Sequence, residues 1–242
     1  MKSSYEMNVD LAQKVLLLPG LDGTGRLFAP LQAALAGNLD TTAIAYGDER
    51  LLEDYVETVA ANMADADTVL IAESFSGPVA LALMSRFPSQ IRCAVLCATF
   101  AVSPLRFLCG VAGMLPTWVF QASPLRGTLI RHFALNSEIH HDIVPEVMAV
   151  VRSVPDAVTK SRLKMLSRVD LRPLLSSIKH PVLCLRASDD RVVNNMLCRQ
   201  LMDGLPNVDA STIRGPHMLA QTRPTECARA ILLFLHGKKK DS

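Results

Sequence analysis

Residues 68–78 read Thr-Val-Leu-Ile-Ala-Glu-Ser-Phe-Ser-Gly-Pro, and their aliphatic run stops abruptly at Ser74. A helix-like pattern begins at once, and Pro78 suits its first turn because proline lacks an N–H that would be unpaired there. A buried strand, a sharp turn with a serine at its tip and a helix are typical of a nucleophile elbow, in which the serine hydroxyl projects above the sheet edge. The usual pattern is G-x-S-x-G, whereas Ala72 and Ser76 replace both glycines here. The stretch therefore indicates an elbow strongly only if an acid and a histidine follow in suitable places.

An acid and a histidine do follow, each after a further predicted strand. Residues 182–187 read as a buried strand that runs into Asp189 and Asp190, and a later short strand opens into a loop that carries His217. A carboxylate just past the C-terminal end of a parallel strand is well placed to orient a histidine. The order Ser74, acid, histidine differs from the orders of the chymotrypsin and subtilisin proteases and matches that of α/β-hydrolase folds.

At this point the chain resembles the α/β-hydrolase superfamily over nearly its whole length. Within the superfamily it is most similar to small single-capped serine esterases, such as pimeloyl-carrier-protein methyl ester esterases and meta-cleavage-product hydrolases. Four stretches carry the resemblance: Leu-Pro-Gly-Leu-Asp-Gly-Thr-Gly at 18–25, the elbow at Ser74, Asp-Asp-Arg-Val-Val at 189–193, and Pro-His-Met at 216–218.

The resemblance implies a set of site residues. It places the catalytic acid at Asp190, with Asp189 as the adjacent rival, beside the nucleophile Ser74 and the base His217. It assigns the oxyanion hole to the backbone N–H groups of two residues, Leu21 and Phe75. It also implies the α/β-hydrolase fold. We expect no cofactor.

The alternation of predicted strands and helices independently indicates an α/β protein with a mostly parallel sheet covered on both faces. The predicted strands span 14–18, 42–45, 69–72, 94–98, 182–187 and 210–214, and the predicted helices span 26–36, 51–64, 77–86, 194–203 and 225–236. Between residues 101 and 175 the alternation fails, and helical segments broken by proline and glycine replace it. We therefore predict about six strands, a hydrolase core formed by 1–100 and 176–242, and a helical cap inserted at 101–175.

Composition sets the outer bounds. The chain has 242 residues, of which 50% are hydrophobic, and a formal net charge of +2, which gives no reason to expect nucleic acid as a partner. Six cysteines show neither a C-x-x-C pair nor metal-ligand spacing, which fits a reducing compartment. The first residues lack the apolar run of a signal peptide, and no apolar stretch reaches membrane-spanning length. We expect a cytoplasmic protein that binds no metal.

The inserted segment holds the residues expected to select a substrate. Met114, Leu115, Trp118 and Phe120 form an apolar cluster that either lines an acyl pocket or docks the cap on the core. The segment is also basic, through Arg126, Arg131, Arg152, Lys160, Arg162, Lys164 and Arg168. A solvated helix face is the default explanation for these charges, and docking of an acidic acyl-carrier protein is the sharper hypothesis that the resemblance suggests.

These residues predict a serine carboxyl-ester hydrolase that cleaves small, mainly apolar acyl esters through an acyl-enzyme. The same triad also serves thioesterases, acyltransferases and C–C hydrolases, and a ligand receptor without turnover on this scaffold is the alternative from another class. The glycine-rich residues 20–25 also resemble a phosphate-binding loop, but they lack the third glycine and any Gly-Lys-Ser/Thr. Glu73 precedes the nucleophile and could either face away and pair with an arginine or raise the basicity of His217. Strand alternation predicts the former, because it turns Glu73 away from the direction of Ser74.

Overall fold

A computed structural model describes residues 14–104, 135 and 142–237. Its six strands form one parallel sheet in the order β2-β1-β3-β4-β5-β6, which confirms the predicted fold class and strand number. The strands are β1 (Val15–Leu18), β2 (Thr41–Ala43), β3 (Thr68–Glu73), β4 (Ile91–Cys97), β5 (Val182–Ala187) and β6 (Val208–Ile213). All residues of β1 and β3 are buried, as expected for central strands that are covered on both faces.

Helices cover both faces of this sheet. In the described residues they are α1 (Ala29–Leu35), α2 (Leu52–Ala60), α3 (Gly77–Arg86), α4 (Val144–Ser153), α5 (Asp156–Leu166), α6 (Arg172–Leu175), α7 (Asn195–Gly204), α8 (Leu219–Thr222) and α9 (Pro224–Gly237). Successive residues of β3 enter opposite cores: Leu70 lies in the cluster that contains Tyr55 of α2, and Ile71 lies in the cluster that contains Ile231 of α9. The apolar run of β3 is thus explained by burial on two sides.

The chain between β4 and β5 leaves and re-enters the core at neighbouring points. Val102 and Asp170 form an isolated antiparallel bridge, and the Leu171 N–H donates to the Ala101 carbonyl at 2.9 Å. Helix α4 lies between these points and packs against Leu27, which follows the glycine-rich loop. The predicted pocket residues Met114, Leu115, Trp118 and Phe120 lie outside the described residues.

The loops that follow the strands meet at one edge of the sheet, because the carboxyl ends of parallel strands share that edge. The loops after β1, β3, β5 and β6 carry, respectively, the glycine-rich stretch, Ser74, Asp190 and His217. Within the described ranges, no helix is long and apolar enough to cross a membrane. Four of the five cysteines described there are buried, and all five are unbridged.

Candidate active site

Ser74, His217 and Asp190 form a continuous hydrogen-bonded chain. The His217 Nε2 atom lies 2.8 Å from the Ser74 Oγ atom, and the His217 Nδ1 atom lies 2.8 Å from the Asp190 Oδ2 atom. The side chains of His217 and Asp190 are only 8% and 5% exposed, whereas Ser74 is partly open to solvent. A carboxylate at Nδ1 fixes the tautomer with its proton on that atom, so Nε2 is free to accept a proton from the serine.

Asp190 is held in place by the backbone that follows it. Its Oδ1 atom accepts hydrogen bonds from the N–H groups of Val192 and Val193 at 2.8 and 2.7 Å. The other oxygen is thereby left for His217. Its neighbour Asp189 is exposed and accepts a hydrogen bond from Ser188 instead. Of the two adjacent candidates for the acid, Asp190 contacts His217, whereas Asp189 contacts Ser188.

The turn at Ser74 has the backbone conformation of a nucleophile elbow. Ser74 has a φ angle of 47°, in the left-handed region that a residue with a side chain rarely adopts. The Thr99 hydroxyl at the end of β4 donates a hydrogen bond to the Ser74 carbonyl oxygen and so braces the turn. A Cβ atom on Gly77 would overlap the Thr99 side chain. Gly77 therefore supplies the close approach that this brace requires.

Ser76, which replaces the second glycine of the usual motif, has a structural task. Its buried hydroxyl donates to the Pro19 carbonyl at 2.5 Å, and the Tyr46 hydroxyl lies 2.8 Å from the same oxygen. Because the Ser76 proton is directed to Pro19, Tyr46 must donate to Ser76. Burial raises the pKa of Tyr46 well above its ordinary value, so this donor stays protonated. The replacement thus ties the elbow to the loop after β1.

Leu21 and Phe75 are the residues predicted to form an oxyanion hole. Phe75 directly precedes Ser76, and Leu21 lies two residues after Pro19, so the hydrogen bond between Ser76 and Pro19 joins the two chain segments. Among the residues that the structure describes, neither backbone N–H donates a hydrogen bond to a protein acceptor. The Leu21 loop is closed by a bond from the Gly23 N–H to the Gly20 carbonyl at 3.0 Å. Phe75 is 1% exposed, and its ring packs against Tyr46 and Tyr55 at centroid distances of 6.2 and 5.2 Å.

Glu73 does not pair with an arginine in the described part of the chain, so that expectation is wrong. Its Oε2 atom accepts a hydrogen bond from the Gln221 Nε2 atom at 3.0 Å. The Oε1 atoms of Glu73 and of Gln221 are both buried, and neither has a partner within the described residues. Burial raises the pKa of Glu73 to about 7, although the Gln221 bond and nearby His217 both oppose the rise. An amide thus binds this carboxyl where a cation was expected.

Arg162 is also not where the sequence suggested. We assigned it to a solvated basic face, yet only 1% of the residue is exposed. Its guanidinium lies against the loop after β1 and binds backbone carbonyl oxygens there. Arg152, Lys164 and Arg168 are exposed, in agreement with the default interpretation of the basic segment. Arg126 and Arg131 lie outside the described residues.

In residues 14–104, 135 and 142–237, no group of three or more His, Cys, Asp or Glu side chains could hold a metal ion. The contact between the Ser74 hydroxyl and the His217 ring offers the chemistry of a serine hydroxyl beside a histidine base.

Comparison with known proteins identifies the family of the chain. The sequence model of the Alpha/beta hydrolase family matches residues 15–230. The chain belongs to this family. No curated protein matches the chain significantly.

Several solved structures share the fold of this chain at low sequence identity. The esterase RhEst1 from Rhodococcus sp. ECU1013 is 18% identical with a TM-score of 0.79, over 93% of this chain and 90% of that one. An enol-lactonase from Burkholderia xenovorans LB400 is 18% identical with a TM-score of 0.77, over 93% and 92%. A bromoperoxidase from Bacillus anthracis is 16% identical with a TM-score of 0.75, over 93% and 92%. At these identities the likeness establishes the fold alone.

Three residues around the site were missed or undervalued by sequence reasoning. Thr99, Gln221 and Arg162 bind, respectively, the Ser74 carbonyl, the Glu73 carboxyl and the carbonyls of the Leu21 loop. Each acts on a partner that is distant in sequence, and two of the three bind backbone atoms. Ser76 gave a signal for a different residue: a hydroxyl in place of an elbow glycine indicates a hydrogen-bond partner nearby, and that partner is Tyr46.

Proposed function

We propose that the protein is a serine carboxyl-ester hydrolase that acts on small, mainly apolar acyl esters through an acyl-enzyme. One observation carries the proposal: His217 lies between Ser74 and Asp190 and contacts both. Its Nε2 atom is 2.8 Å from Ser74 Oγ, and its Nδ1 atom is 2.8 Å from Asp190 Oδ2. A serine hydroxyl is a weak nucleophile at neutral pH, and a base at this distance is what activates it.

In the first half-reaction Ser74 Oγ attacks the ester carbonyl carbon while its proton passes to His217 Nε2. Asp190 stabilises the imidazolium that forms, and the carbonyl oxygen becomes an oxyanion. The N–H groups of Leu21 and Phe75 are the donors proposed for that oxyanion. Collapse of the tetrahedral intermediate breaks the bond to the alcohol, which leaves with the proton from His217.

In the second half-reaction water attacks the acyl-serine carbonyl. His217 Nε2 takes a proton from the water and returns it to Ser74 Oγ as the acid departs. The same donors stabilise the second oxyanion, so one arrangement of groups serves both halves.

The test uses p-nitrophenyl esters from acetate to laurate with the wild type and Ser74→Ala. We expect turnover in the wild type and a loss of about 10⁴-fold or more in kcat in the variant. Ser177→Ala is the matched control, because Ser177 is an exposed serine whose hydroxyl binds the Leu174 carbonyl. The chain-length optimum would size the acyl pocket.

Other outcomes would favour the alternatives. Full activity in Ser74→Ala would show that Ser74 is not the nucleophile. A wild type inert on every oxygen ester but active on thioesters would shift the proposal to a thioesterase or acyltransferase. A C–C hydrolase would cleave a carbon–carbon bond next to a carbonyl with the same Ser74 dependence. A single slow acylation of Ser74, seen by mass spectrometry without further turnover, would indicate a ligand receptor.

A further inference from the structure

We infer that Arg162, on helix α5 of the segment inserted between β4 and β5, is a positioning residue for the oxyanion hole. Its guanidinium holds the Leu21 loop, and through it the Leu21 N–H, in the conformation that accepts the oxyanion. This inference rests on the proposed function, because it concerns the same reaction. It adds a residue that stands 141 positions from Leu21 in the chain.

The contacts of Arg162 encircle the guanidinium with backbone carbonyls. Its Nη1 atom donates to the Leu21 oxygen at 3.1 Å and to the Asp22 oxygen at 2.6 Å. Its Nη2 atom donates to the Gly47 oxygen at 3.0 Å and reaches the Tyr46 oxygen at 3.4 Å. The planar fork of arginine supplies donors to both chain segments at once, which a lysine ammonium cannot do with the same fixed geometry. The Leu21 loop is thereby clamped to the chain after β2.

The loop is shaped to receive this group. Gly23 has a φ angle of 67°, and a Cβ atom there would overlap the guanidinium. The Gly23 carbonyl accepts a hydrogen bond from the Tyr46 N–H at 2.7 Å, which joins the same two chain segments. A side chain at position 23 would therefore displace Arg162.

The same contacts connect Arg162 to the other proposed donor. The Tyr46 carbonyl accepts a hydrogen bond from Arg162, and the Tyr46 hydroxyl donates one to Ser76. The Tyr46 ring packs against the ring of Phe75. Both sides of the oxyanion hole thus share one support. A shift of the guanidinium would move the Leu21 loop relative to Phe75, and a misplacement of about 1 Å costs on the order of 10² in rate.

The charge of Arg162 also supports a role at the oxyanion hole. Within the described residues, no carboxylate lies within ion-pair distance of the guanidinium, and its Nε atom has no hydrogen-bond partner. A buried cation without an anion is destabilising unless its donors are well satisfied. Here the guanidinium lies against the carbonyl of Leu21, the residue whose N–H is the proposed oxyanion donor, and its positive charge favours negative charge nearby.

The experiment compares Arg162→Met, Arg162→Lys and Arg162→Ala with the wild type. Three quantities are measured: kcat and KM on a p-nitrophenyl ester, and the affinity for a short alkylboronic acid. The boronic acid bonds to Ser74 Oγ, its boron becomes tetrahedral and anionic, and the serine proton passes to His217. We expect kcat/KM and boronate affinity to fall together by about 10² in Arg162→Met, with KM changed less than about threefold. Arg162→Lys should fall between this variant and the wild type.

Chemical rescue separates positioning from general stability. Millimolar guanidinium should restore part of the activity of Arg162→Ala by filling the vacated carbonyl ring, while urea, which is neutral and of similar shape, should not. Arg168→Met is the control for loss of an exposed arginine in the same segment, and it should match the wild type.

The glycine pair gives an independent test that leaves Arg162 unchanged. Gly23→Ala should lower boronate affinity, whereas Gly37→Ala should not. Gly37 has a comparable φ angle of 81° but open space at its Cβ position, so this control carries the backbone strain without the clash.

The inference is overturned if Arg162→Met and Arg162→Lys keep kcat/KM and boronate affinity within about twofold of the wild type. It is also overturned if Gly23→Ala and Gly37→Ala behave alike. Failure of the proposed function would give a different result, because the wild type itself would then hydrolyse no ester. In that case, boronate affinities measured by calorimetry would still show whether Arg162 matters.

Discussion

Replacing Glu73 by glutamine should stabilise the protein, and the gain should depend on pH. Burial raises the pKa of Glu73 from its ordinary value of 4.5 to about 7. A carboxyl with a raised pKa in the folded state contributes stability that is fully present below pH 4.5 and is lost as pH rises to 7. The difference between the two values corresponds to about 3 kcal/mol of unfolding free energy at pH 8.

Glu73→Gln removes this loss because an amide does not ionise. Its oxygen can still accept the hydrogen bond from Gln221 Nε2, and its new N–H₂ group can donate to Gln221 Oε1, which has no partner among the described residues. Urea unfolding of both proteins from pH 4.5 to pH 8 measures the effect. The unfolding free energy of the variant, minus that of the wild type, should increase by about 3 kcal/mol over this range.

Glu53→Gln on helix α2 is the matched control, because that glutamate is exposed. Its effect on unfolding free energy should stay within about 0.5 kcal/mol throughout. A difference between Glu73→Gln and the wild type that does not change with pH would refute the reasoning, since it would mean that Glu73 has the same proton affinity in both states.

The remaining predictions concern the triad, the elbow tie and the basic segment. Asp190→Asn should lower kcat by about 10⁴-fold, whereas Asp189→Asn should change it less than about threefold in the same ester assay. Ser76→Ala should lower the unfolding free energy by about 1–3 kcal/mol, because it leaves the buried Tyr46 hydroxyl without its acceptor, and adding Tyr46→Phe should recover part of the loss. If an acidic acyl-carrier protein docks on the basic segment, its acyl ester should be hydrolysed more slowly at physiological than at low salt, while p-nitrophenyl ester turnover stays constant.

Sequence patterns identified the strands well where burial alone sets the pattern. Strand β5 has the predicted bounds, Val182–Ala187. Strand β4 begins three residues earlier than predicted, at Ile91, because Ile91 pairs with Thr68 across an irregular register at the start of β3. Helix α2 ends at Ala60 instead of 64, because the next residues close short turns, such as that from the Asn62 N–H to the Val59 carbonyl.

The meeting of Ser74, His217 and Asp190 was predictable from the sequence, but the residues that support them were not. The order of Ser74, Asp190 and His217 and their positions after strands indicated a triad before any contact was known. The partner of Glu73 was missed because Gln221 is uncharged and 148 residues away. Arg162 was misassigned because a basic residue in a helical segment is usually solvated, and backbone carbonyl acceptors leave no signature in a sequence.

The bridge between Val102 and Asp170 means that the inserted segment could be replaced by another one without changing the core. Its two ends meet beside the sheet, so the chain between them can change length without stretching the connection from β4 to β5. Replacement of the inserted segment is restricted at Arg162, because Arg162 donates hydrogen bonds to the carbonyls of Leu21 and Asp22. A replacement segment would have to bring a donor to the same place, so changes in the inserted segment and preservation of the Leu21 loop are coupled through the Arg162 guanidinium.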